Sequence, residues 1–345
     1  MRSLSCSLPI TEYKKILLSH GSGGKLTQEL INKFFLPSFK NEYLEQLMDS
    51  AILNIKNKRI LFTTDSYVVN PIFFSGGDIG KLAIYGTVND LAVCGAIPLY
   101  LSASFILEEG FEIDKLYRIV KSMEVASKKA NIKIVTGDTK VVEKGKGDGI
   151  YINTSGIGVL HEKANLAYNK IKPGDKILIN GSIGEHGIAI LESRGELEFG
   201  TSFKSDCAPL TTLINNLLNC CEIHFMRDPT RGGIASALNE ITKKSKFKIK
   251  IFEEKVPISK SVEDACSILG INPFHIANEG KVLVFVKKEH AEEALKIMRK
   301  HRYGKKAAII GEVKREKSGN VVLETSIGAE IILDSLTGEQ LPRIC

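Results

Sequence analysis

The chain has 345 residues, of which 43% are hydrophobic and 25% are charged, and its formal net charge is +7. This composition is typical of a globular protein long enough for two domains, and it excludes an intrinsically disordered chain. The positive charge is spread without interleaved aromatic residues, and the apolar runs stay far below the ~20 residues of a membrane span, so neither nucleic-acid binding nor membrane insertion is indicated.

Strand and helix patterns alternate along the first half of the sequence, which is typical of a mixed α/β protein. The predicted elements are a strand at 59–64, a helix at 78–93, an amphipathic helix at 115–130, and strands at 132–135 and 150–159. The first strand is predicted to stop at Asp65, and the strand at 132–135 to stop at Gly137-Asp138. Both aspartates are therefore expected in loops.

A turn signal at 171–175, which contains Pro173-Gly174-Asp175, indicates a domain boundary. The elements predicted after it are a strand at 176–180, helices at 183–195 and 209–220, a helix after Gly233 and an apolar strand at 282–286. We therefore expect two α/β domains, over 1–165 and 166–333, followed by a flexible tail over 334–345.

Glycine clusters precede two of the predicted helices, at His20-Gly21-Ser22-Gly23-Gly24 and at 75–80. Glycine lets the backbone approach a ligand closely, and the free N–H groups of a helix start favour phosphate oxygens. Each cluster alone is also explained by an ordinary turn. No GxxxxGK[ST] motif is present, so the protein is not a P-loop nucleotide-binding protein.

Carboxylates accompany these glycine clusters in the first half of the chain, at Asp49, Asp65, Asp90 and Asp138. Any one of them could simply cap a helix or form a turn. Gathered around a polyphosphate they would repel one another unless a cation bridged them, and Mg²⁺ is commonly shared between carboxylates and phosphates. The set therefore favours a nucleotide bound with Mg²⁺. Further candidate nucleotide-binding residues in the same segments are Asp78, Asn89 and Thr139.

Two segments of the second half carry candidate functional residues. Arg227, Asp228 and Arg231 surround a Pro-Thr turn at a helix start, where two guanidinium groups could clamp a phosphate or merely cap the turn. Glu279 stands on a predicted loop before an apolar strand and is a candidate for proton transfer. The sequence ends on Cys345, and a thiol on a mobile end suggests a group carrier.

Six segments of the sequence resemble motifs of one known family. In chain order they are HGSGG at 20–24, TTDSYVVNPIFFSGGDIGKLAIYGTVNDLAVCGAIP at 63–98, GDTKVV at 137–142, MRDPTRGG at 226–233, ANEGK at 277–281 and LPRIC at 341–345. In this order they resemble the HypE family of hydrogenase maturation proteins, the carbamoyl dehydratases that make the cyanide ligands of nickel–iron hydrogenases. The LPRIC ending distinguishes this family from aminoimidazole ribonucleotide synthetase, selenophosphate synthetase and thiamine-monophosphate kinase. A small departure is Glu185, which stands in IGEHG where Asp is usual.

The resemblance implies a two-domain aminoimidazole ribonucleotide synthetase-like fold whose first domain binds ATP and Mg²⁺ and forms a homodimer. A partner carbamoyl transferase would load Cys345, ATP would then drive dehydration of the thiocarbamate to a thiocyanate, and an iron-carrying scaffold complex would accept the cyanide. Lys140 and Glu279 match the family's catalytic lysine and glutamate. Mg²⁺ would be held by Asp65, Asp90 and Asp138, with Asp49.

Two other functions remain open on the sequence alone. A kinase or synthetase of the same superfamily would act on a free small molecule and would not need Cys345. A non-catalytic scaffold would use that thiol to hold iron or nickel for delivery, and would not turn over ATP.

The cysteine pattern gives no sign of a structural disulfide or metal site. The seven cysteines are odd in number and contain no CxxC pair, which argues against a disulfide framework and a zinc ribbon. Cys94, Cys220, Cys221 and Cys266 have apolar neighbours and are expected to be inert core residues. Residues 1–18 lack a long apolar stretch, so we expect no secretory signal and a cytoplasmic protein.

Overall fold

A computed structural model describes residues 24–35, 44–55, 58–195, 202–335, 341 and 343–345. The HGSGG cluster lies outside these residues except for Gly24. The helices are α1 (Lys25–Leu30), α2 (Ile79–Val93), α3 (Ile113–Ala130), α4 (Glu185–Ser193), α5 (Thr211–Cys220), α6 (Gly233–Ser245), α7 (Lys260–Leu269) and α8 (Ala291–Lys300). Short helical turns are Ile31–Phe35, Leu44–Gln46, Tyr168–Lys170, Glu253–Lys255, Pro273–His275 and Lys288–His290.

The strands belong to three sheets. They are β1 (Ala51–Ile55), β2 (Lys58–Tyr67), β3 (Phe73–Phe74), β4 (Gly77–Asp78), β5 (Ala96–Glu108), β6 (Lys133–Val142), β7 (Ile150–Leu160), β8 (Lys176–Ile179), β9 (Ile223–Arg227), β10 (Ile249–Phe252), β11 (Leu283–Val286), β12 (Ala308–Val313), β13 (Val321–Glu324) and β14 (Glu330–Ile332). A five-stranded sheet has the order β1-β2-β7-β5-β6, and a seven-stranded sheet has the order β14-β13-β10-β12-β8-β11-β9. The pair β3-β4 stands apart.

The five-stranded sheet is covered by helices on one face. Strand β2 alternates, so that Leu61, Thr63 and Tyr67 point to the covered face and are buried. Helix α2 lies against this face and is almost entirely buried, while α3 packs outside it with only one apolar stripe buried. The alternation therefore places the odd-numbered residues of β2 beside α2, where the acidic residues of both elements meet.

The opposite face of this sheet keeps large apolar side chains exposed. Phe62, Ile157 and Tyr100 are each more than a third exposed, and they are neighbours across three strands because Phe62 pairs with Ile157 and Ile157 with Tyr100. Ile106 of β5, which pairs with Tyr151 of β7 on the same face, is also exposed. Contiguous exposed apolar surface of this kind is typical of an interaction face.

The seven-stranded sheet carries helices on both faces. Residues of β11 alternate between two cores: Leu283 and Phe285 pack with α6, whereas Val284 and Val286 pack with α5 and α8. Burial on both faces explains why β11 is a continuous apolar run in the sequence. The second of these cores also contains Leu91 of α2, and so it joins the two halves of the chain.

The mixed two-domain α/β fold class is confirmed, but two strand ends were predicted wrongly. Strand β2 continues to Tyr67 and β6 to Val142, so Asp65 and Asp138 lie within strands. Asp65 pairs with Thr154 of β7 and Asp138 with Ser104 of β5. Ladder hydrogen bonds outweigh the turn preference of aspartate, as tertiary context generally does. The boundaries at 165/166 and 333/334 stay predictions.

The cysteine predictions were partly wrong. Cys94 and Cys266 are buried, whereas Cys221 is half-buried and Cys220 is exposed. Cys220 ends α5 on the solvent side, because the buried stripe of that helix is formed by its leucines and Ile214. Over the described ranges, no helix is long and apolar enough to cross a membrane.

Candidate functional site

Residues from distant parts of the sequence meet in one small cavity of about 50 Å³, which is lined by residues of both domains. It is lined by Asp65, Ser66, Tyr67, Gly86, Asp90, Asp228, Thr230, Arg231, Glu279 and Cys345. Six of these were singled out in the sequence: three aspartates, Arg231, Glu279 and Cys345. The cavity is therefore built by β2, α2, the loops after β9 and before β11, and the end of the chain.

Hydrogen bonds from β2 orient the carboxylates of this cavity. The hydroxyl of Tyr67 donates to Oδ2 of Asp65 at 3.1 Å. The hydroxyl of Thr63 donates to Oδ2 of Asp90 at 3.0 Å and lies 2.8 Å from the carbonyl oxygen of Asp49. Because residues two apart in a strand share a face, Thr63, Asp65 and Tyr67 act together on the side of α2.

Crowded carboxyl groups raise one another's pKa in this region. Burial raises the pKa of Asp90 well above its usual range, and the neighbouring Asp65 and Asp228 add to the shift. Burial and the charge of Asp49 raise the pKa of Asp228 to about 8, against the opposing effect of Arg227. The pKa of Asp49 is raised by burial as well. The cluster therefore disfavours its own full negative charge.

This arrangement fits a bound divalent cation. Oδ2 of Asp49 is buried and has no hydrogen-bond partner among the described residues. Asp65, Asp90 and Asp228 offer further carboxylate oxygens, which are the ligands that Mg²⁺ takes, and a cation would offset the repulsion that raises their pKa values. In the described part of the single chain, however, no three acidic, histidine or cysteine side chains are arranged closely enough to hold a metal by themselves. Phosphate oxygens and water would have to complete the coordination.

Glu279 is held by its main chain against a buried ion pair. Its amide N–H donates to Oδ1 of Asp206 at 3.0 Å, and Nζ of Lys281 lies 2.7 Å from Oδ2 of the same Asp206. A Cβ on Gly280 would stand 2.0 Å from the carbonyl oxygen of Asp206, so only glycine allows this close approach. Burial, followed by the charge of Asp206, raises the pKa of Glu279 well above its usual range. Once ionised, such a carboxylate is a strong proton acceptor.

The two arginines of the predicted phosphate clamp have different surroundings. Arg227 is paired with Asp49 at 3.1 Å and Glu240 at 2.7 Å, and it donates to the hydroxyl of Tyr168 at 3.1 Å. Arg231 is exposed and lines the small cavity, and its pKa is raised chiefly by negative charge at Cys345. Both arginines also line a larger adjoining cavity of about 700 Å³. Its other basic lining residues are Lys243, Lys244 and Lys246.

Asp138, Thr139 and Lys140 lie away from this cavity. They belong to the edge strand β6, and the side chains of Asp138 and Lys140 are 59% and 70% exposed. Nζ of Lys140 lies 2.9 Å from Oδ2 of Asp138, and the N–H of Thr139 donates to Oδ1 of Asp138 at 2.8 Å. Within one chain, these three predicted residues are therefore not brought to the other carboxylates.

Asp78 and Asn89 have defined structural contacts. Asp78 is the N-cap of α2, where Oδ1 accepts the N–H groups of Gly80 and Lys81 at 2.9 and 3.0 Å. Oδ1 of Asn89 accepts from the N–H of Leu210 at 2.9 Å, and its Nδ2 donates to the carbonyl oxygen of Ala208 at 3.0 Å. Asn89 therefore ties α2 to the second domain beside the Glu279 loop.

The structure adds residues that the sequence reasoning missed. Thr63 and Tyr67 could have been found from the alternation of β2, because they share the face of Asp65. Asp206 and His186 gave no such signal, since each acts on a residue more than 70 positions away in the sequence. His186 stands in the IGEHG segment and contacts the end of the chain.

Both halves of the chain match known domain families. Residues 47–160 match the AIR synthase related protein, N-terminal domain, and residues 172–324 match the AIR synthase related protein, C-terminal domain. These matches cover the cavity-lining residues other than Cys345.

Relatives of the whole chain carry a more specific name. The chain is 46% identical to carbamoyl dehydratase HypE of Rhizobium leguminosarum bv. viciae, over 96% of this chain and 95% of that protein. A solved HypE–HypF complex contains a chain 52% identical, with a TM-score of 0.85, covering 89% of this chain and 99% of that one. The solved hydrogenase maturation protein HypE in complex with ATP is 46% identical, with a TM-score of 0.80, covering 96% of this chain and 100% of that one.

Proposed function

The chain belongs to the carbamoyl dehydratase HypE family, and we propose that it uses ATP to dehydrate an S-carbamoyl group on its own Cys345 to a thiocyanate. The identity to HypE relatives over nearly the whole chain confirms the family resemblance that the motifs indicated. The observation that carries the proposal is the position of Cys345, which lines one cavity with Glu279, Arg231 and the aspartates of the first domain.

ATP is needed because an amide oxygen is a poor leaving group. In the reaction, the carbamoyl oxygen attacks the γ-phosphorus and ADP leaves. One proton leaves the nitrogen as the oxygen is phosphorylated; the second leaves as the C–O bond breaks, inorganic phosphate departs with the oxygen, and S–C≡N remains on the cysteine. The enzyme therefore has to position phosphate, neutralise charge and accept a proton.

Glu279 is the proposed proton acceptor. It lines the cavity beside Cys345, and its loop is fixed through Asp206. Its raised pKa makes its ionised form a strong base, and the charge of Arg231 favours that form. Arg231 also lines the larger basic cavity, which places it to bind a phosphate group of the nucleotide.

Mg²⁺ would be held by Asp65, Asp90 and Asp49. The buried Oδ2 of Asp49, which has no hydrogen-bond partner among the described residues, supports this assignment. Mg²⁺ held there would offset the negative charge of the phosphate groups. Asp138, predicted as a further ligand, and the catalytic candidate Lys140 lie on the exposed strand β6. We propose that these two residues, with Thr139, reach a nucleotide only in the assembled homodimer.

The exposed apolar face of the five-stranded sheet supports the homodimer. Phe62, Ile157 and Tyr100 form a continuous stripe on it, and β6 is at the edge of this sheet among the described strands. A second copy would cover both, which removes apolar surface and a free strand edge from water.

The expected partners follow from the chemistry. A carbamoyl transferase must supply the group on Cys345, and the HypE–HypF complex of a relative supports HypF as that partner. An iron-carrying scaffold complex is proposed to accept the cyanide. The cytoplasmic location stays a prediction.

Intact mass spectrometry of the carbamoylated protein tests the proposal. Adding ATP and Mg²⁺ should remove about one water mass, ~18 Da, with the loss confined to the peptide that contains Cys345. The Cys345→Ser protein is the control and should neither gain the carbamoyl group nor lose water. Full ATP turnover by Cys345→Ala on a small substrate would favour a superfamily kinase instead, and metal retained on the thiol without ATP turnover would favour a delivery scaffold.

A further inference from the structure

The last three residues of the chain lie between helix α4 and the segment that follows β2. The N–H of Val68 donates to the carbonyl oxygen of Cys345 at 3.2 Å, and the N–H of Asn70 donates to that of Arg343 at 3.1 Å. Alternate residues of the two segments are thus paired, as in an antiparallel ladder. The segment at 343–345 is therefore docked through its main chain.

The carbonyl between these two pairs faces the other way and meets a histidine of α4. Nε2 of His186 lies 2.9 Å from the carbonyl oxygen of Ile344. On the far side of the ring, Nδ1 lies 2.8 Å from the hydroxyl oxygen of Ser205. Just after the end of α4, Nη2 of Arg194 donates to the carbonyl oxygen of Arg343 at 3.3 Å.

These contacts fix the tautomer of His186. A carbonyl oxygen only accepts hydrogen bonds, so Nε2 carries the proton and donates to Ile344. In the neutral ring Nδ1 is then the acceptor, and the hydroxyl of Ser205 donates to it. Ser205 in turn accepts from the N–H of Cys207 at 3.2 Å. These hydrogen bonds are therefore all oriented in one direction, from Cys207 through Ser205 and His186 to the carbonyl oxygen of Ile344.

The surroundings of His186 favour the neutral ring. The ring is fully buried and packs edge-on against Phe74 with centroids 5.6 Å apart. Burial lowers the pKa of His186, although the charge of Asp206 opposes the shift and that of Lys281 adds to it. A buried, neutral imidazole with both nitrogens engaged binds a peptide carbonyl without adding charge to the site.

We propose that His186 is a positioning residue for the reaction: by holding the main-chain carbonyl of Ile344, it keeps Cys345 in the cavity beside Glu279. The catalytic consequence rests on the proposed dehydratase function, whereas the docking of the tail does not. His186 touches no reacting atom. It acts on the balance between an inserted tail, in which Cys345 can be dehydrated, and an exposed tail, in which a transferase can reach Cys345.

This role predicts effects of opposite sign on two steps. Without the hydrogen bond, the exposed state gains population, so carbamoylation by the transferase should become faster. Dehydration should become slower, because the inserted state is less populated. A general loss of folding would slow both steps, so the opposite signs distinguish positioning from structural damage.

The first readout is the alkylation rate of Cys345 in the unmodified protein, followed by peptide mass spectrometry with iodoacetamide. In His186→Leu this rate should rise about tenfold, which corresponds to the loss of one hydrogen bond to a buried carbonyl. His186→Gln, whose amide can again donate at this position, should restore most of the protection. Exposed Cys220 and buried Cys94 in the same sample serve as references for full and negligible reactivity.

The matched control is His224→Gln. His224 is also a buried histidine of the second domain, but its ring nitrogens are hydrogen-bonded to Asp175 at 2.7 Å and Glu222 at 3.3 Å rather than to the described residues of the tail. This variant should leave the alkylation rate of Cys345 unchanged. If Cys94 becomes reactive in His186→Leu, the fold has opened, and Ser205→Ala then carries the test, with an expected increase of about threefold.

The second readout is single-turnover dehydration of carbamoylated protein. His186→Leu should be slower than the wild type, by at most about tenfold, a limit reached when the inserted state is the minority in the carbamoylated protein, and His186→Gln should restore the rate. Unchanged alkylation and dehydration in His186→Leu would overturn the inference. A wild type that loses no water would instead refute the dehydratase function, and the alkylation rates would still decide whether His186 docks the tail.

Discussion

The buried carboxylate cavity and the exposed strand β6 were predicted from the same kind of signal, an aspartate at an expected strand end, but the protein treats them in opposite ways. At the cavity, burial and neighbouring carboxylates raise the pKa of Asp90 well above its usual range. On β6, hydrogen bonds from Lys140 and from the main chain of Thr139 lower the pKa of Asp138. The cavity is thus short of positive charge, whereas β6 already pairs its charges.

This difference indicates which of the two regions would be stabilised by binding a cation. The cavity carboxylates are stabilised when a cation joins them, which fits a site that binds its charged ligand and then releases it. The ion pair of Asp138 and Lys140 is solvated, and exposed pairs contribute little to stability. The residues of β6 are therefore candidates for function in the proposed dimer rather than for holding the single chain together.

The largest expected effect is on the cavity side. Glu279→Gln keeps the size and the main-chain contact to Asp206 but cannot accept a proton, so dehydration should slow by about 10²–10⁴-fold. Single-turnover mass spectrometry of the carbamoylated protein measures this rate. Carbamoylation of Cys345 should be unaffected and serves as the control. Dehydration at the native rate would remove Glu279 from the mechanism.

The next effect tests β6. Lys140→Ala should slow dehydration by roughly 10²-fold if the dimer brings this ammonium group to the reacting oxygens. Its thermal unfolding should match that of the wild type, because the side chain is 70% exposed. Lys144→Ala, at an exposed lysine just beyond the same strand, is the matched control and should be fully active. Native activity in Lys140→Ala would leave β6 with an interface role alone.

A smaller effect concerns stability and pH. Asp228 has a pKa of about 8 in the folded chain against 3.8 for the unfolded reference, so between these values the folded state holds a proton that the unfolded state has lost. Stability without nucleotide should therefore fall as pH rises from 6 to 8. Asp228→Asn should reduce this fall, which we expect to appear as a difference of about 2–4 °C in Tm for each kcal/mol. An unchanged pH dependence in calorimetry would show that Asp228 is already ionised at pH 6.

The smallest effect is expected for Asp138→Asn. The pKa of Asp138 is lowered, so its contribution to stability is lost only at pH values below its ordinary range. Between pH 6 and 8 the wild type has this contribution in full and the variant lacks it, so the Tm of the variant should be slightly lower by the same amount at every pH, because an exposed pair contributes little. A drop comparable to that of a buried substitution would mean that the side chain of Asp138 is itself buried in solution, beyond the coverage of the strand edge by a second copy.

Local sequence patterns predicted the helices correctly. They failed at strand ends, whose positions depend on the neighbouring strands. The helix of α2 with Asp78 as its cap, and the amphipathic α3, follow from spacing and capping preferences alone. The ends of β2 and β6 were misplaced because a strand ends where its neighbours end, and those neighbours, β7 and β5, are distant in the sequence. Alternation in β2 held the information for Thr63 and Tyr67, once the strand was extended far enough.

The sequence by itself determined the family, the α/β class and the residue types of the chemistry, because the ordered motifs and the period of apolar residues are local properties of the chain. Only the tertiary structure decided that Asp65, Asp90, Asp228, Glu279 and Cys345 share one cavity while Asp138 and Lys140 do not. It also decided that His186 meets the carbonyl of Ile344. The physical reason is that burial, mutual charge and hydrogen-bond partners depend on distances between segments, which no spacing along the chain specifies.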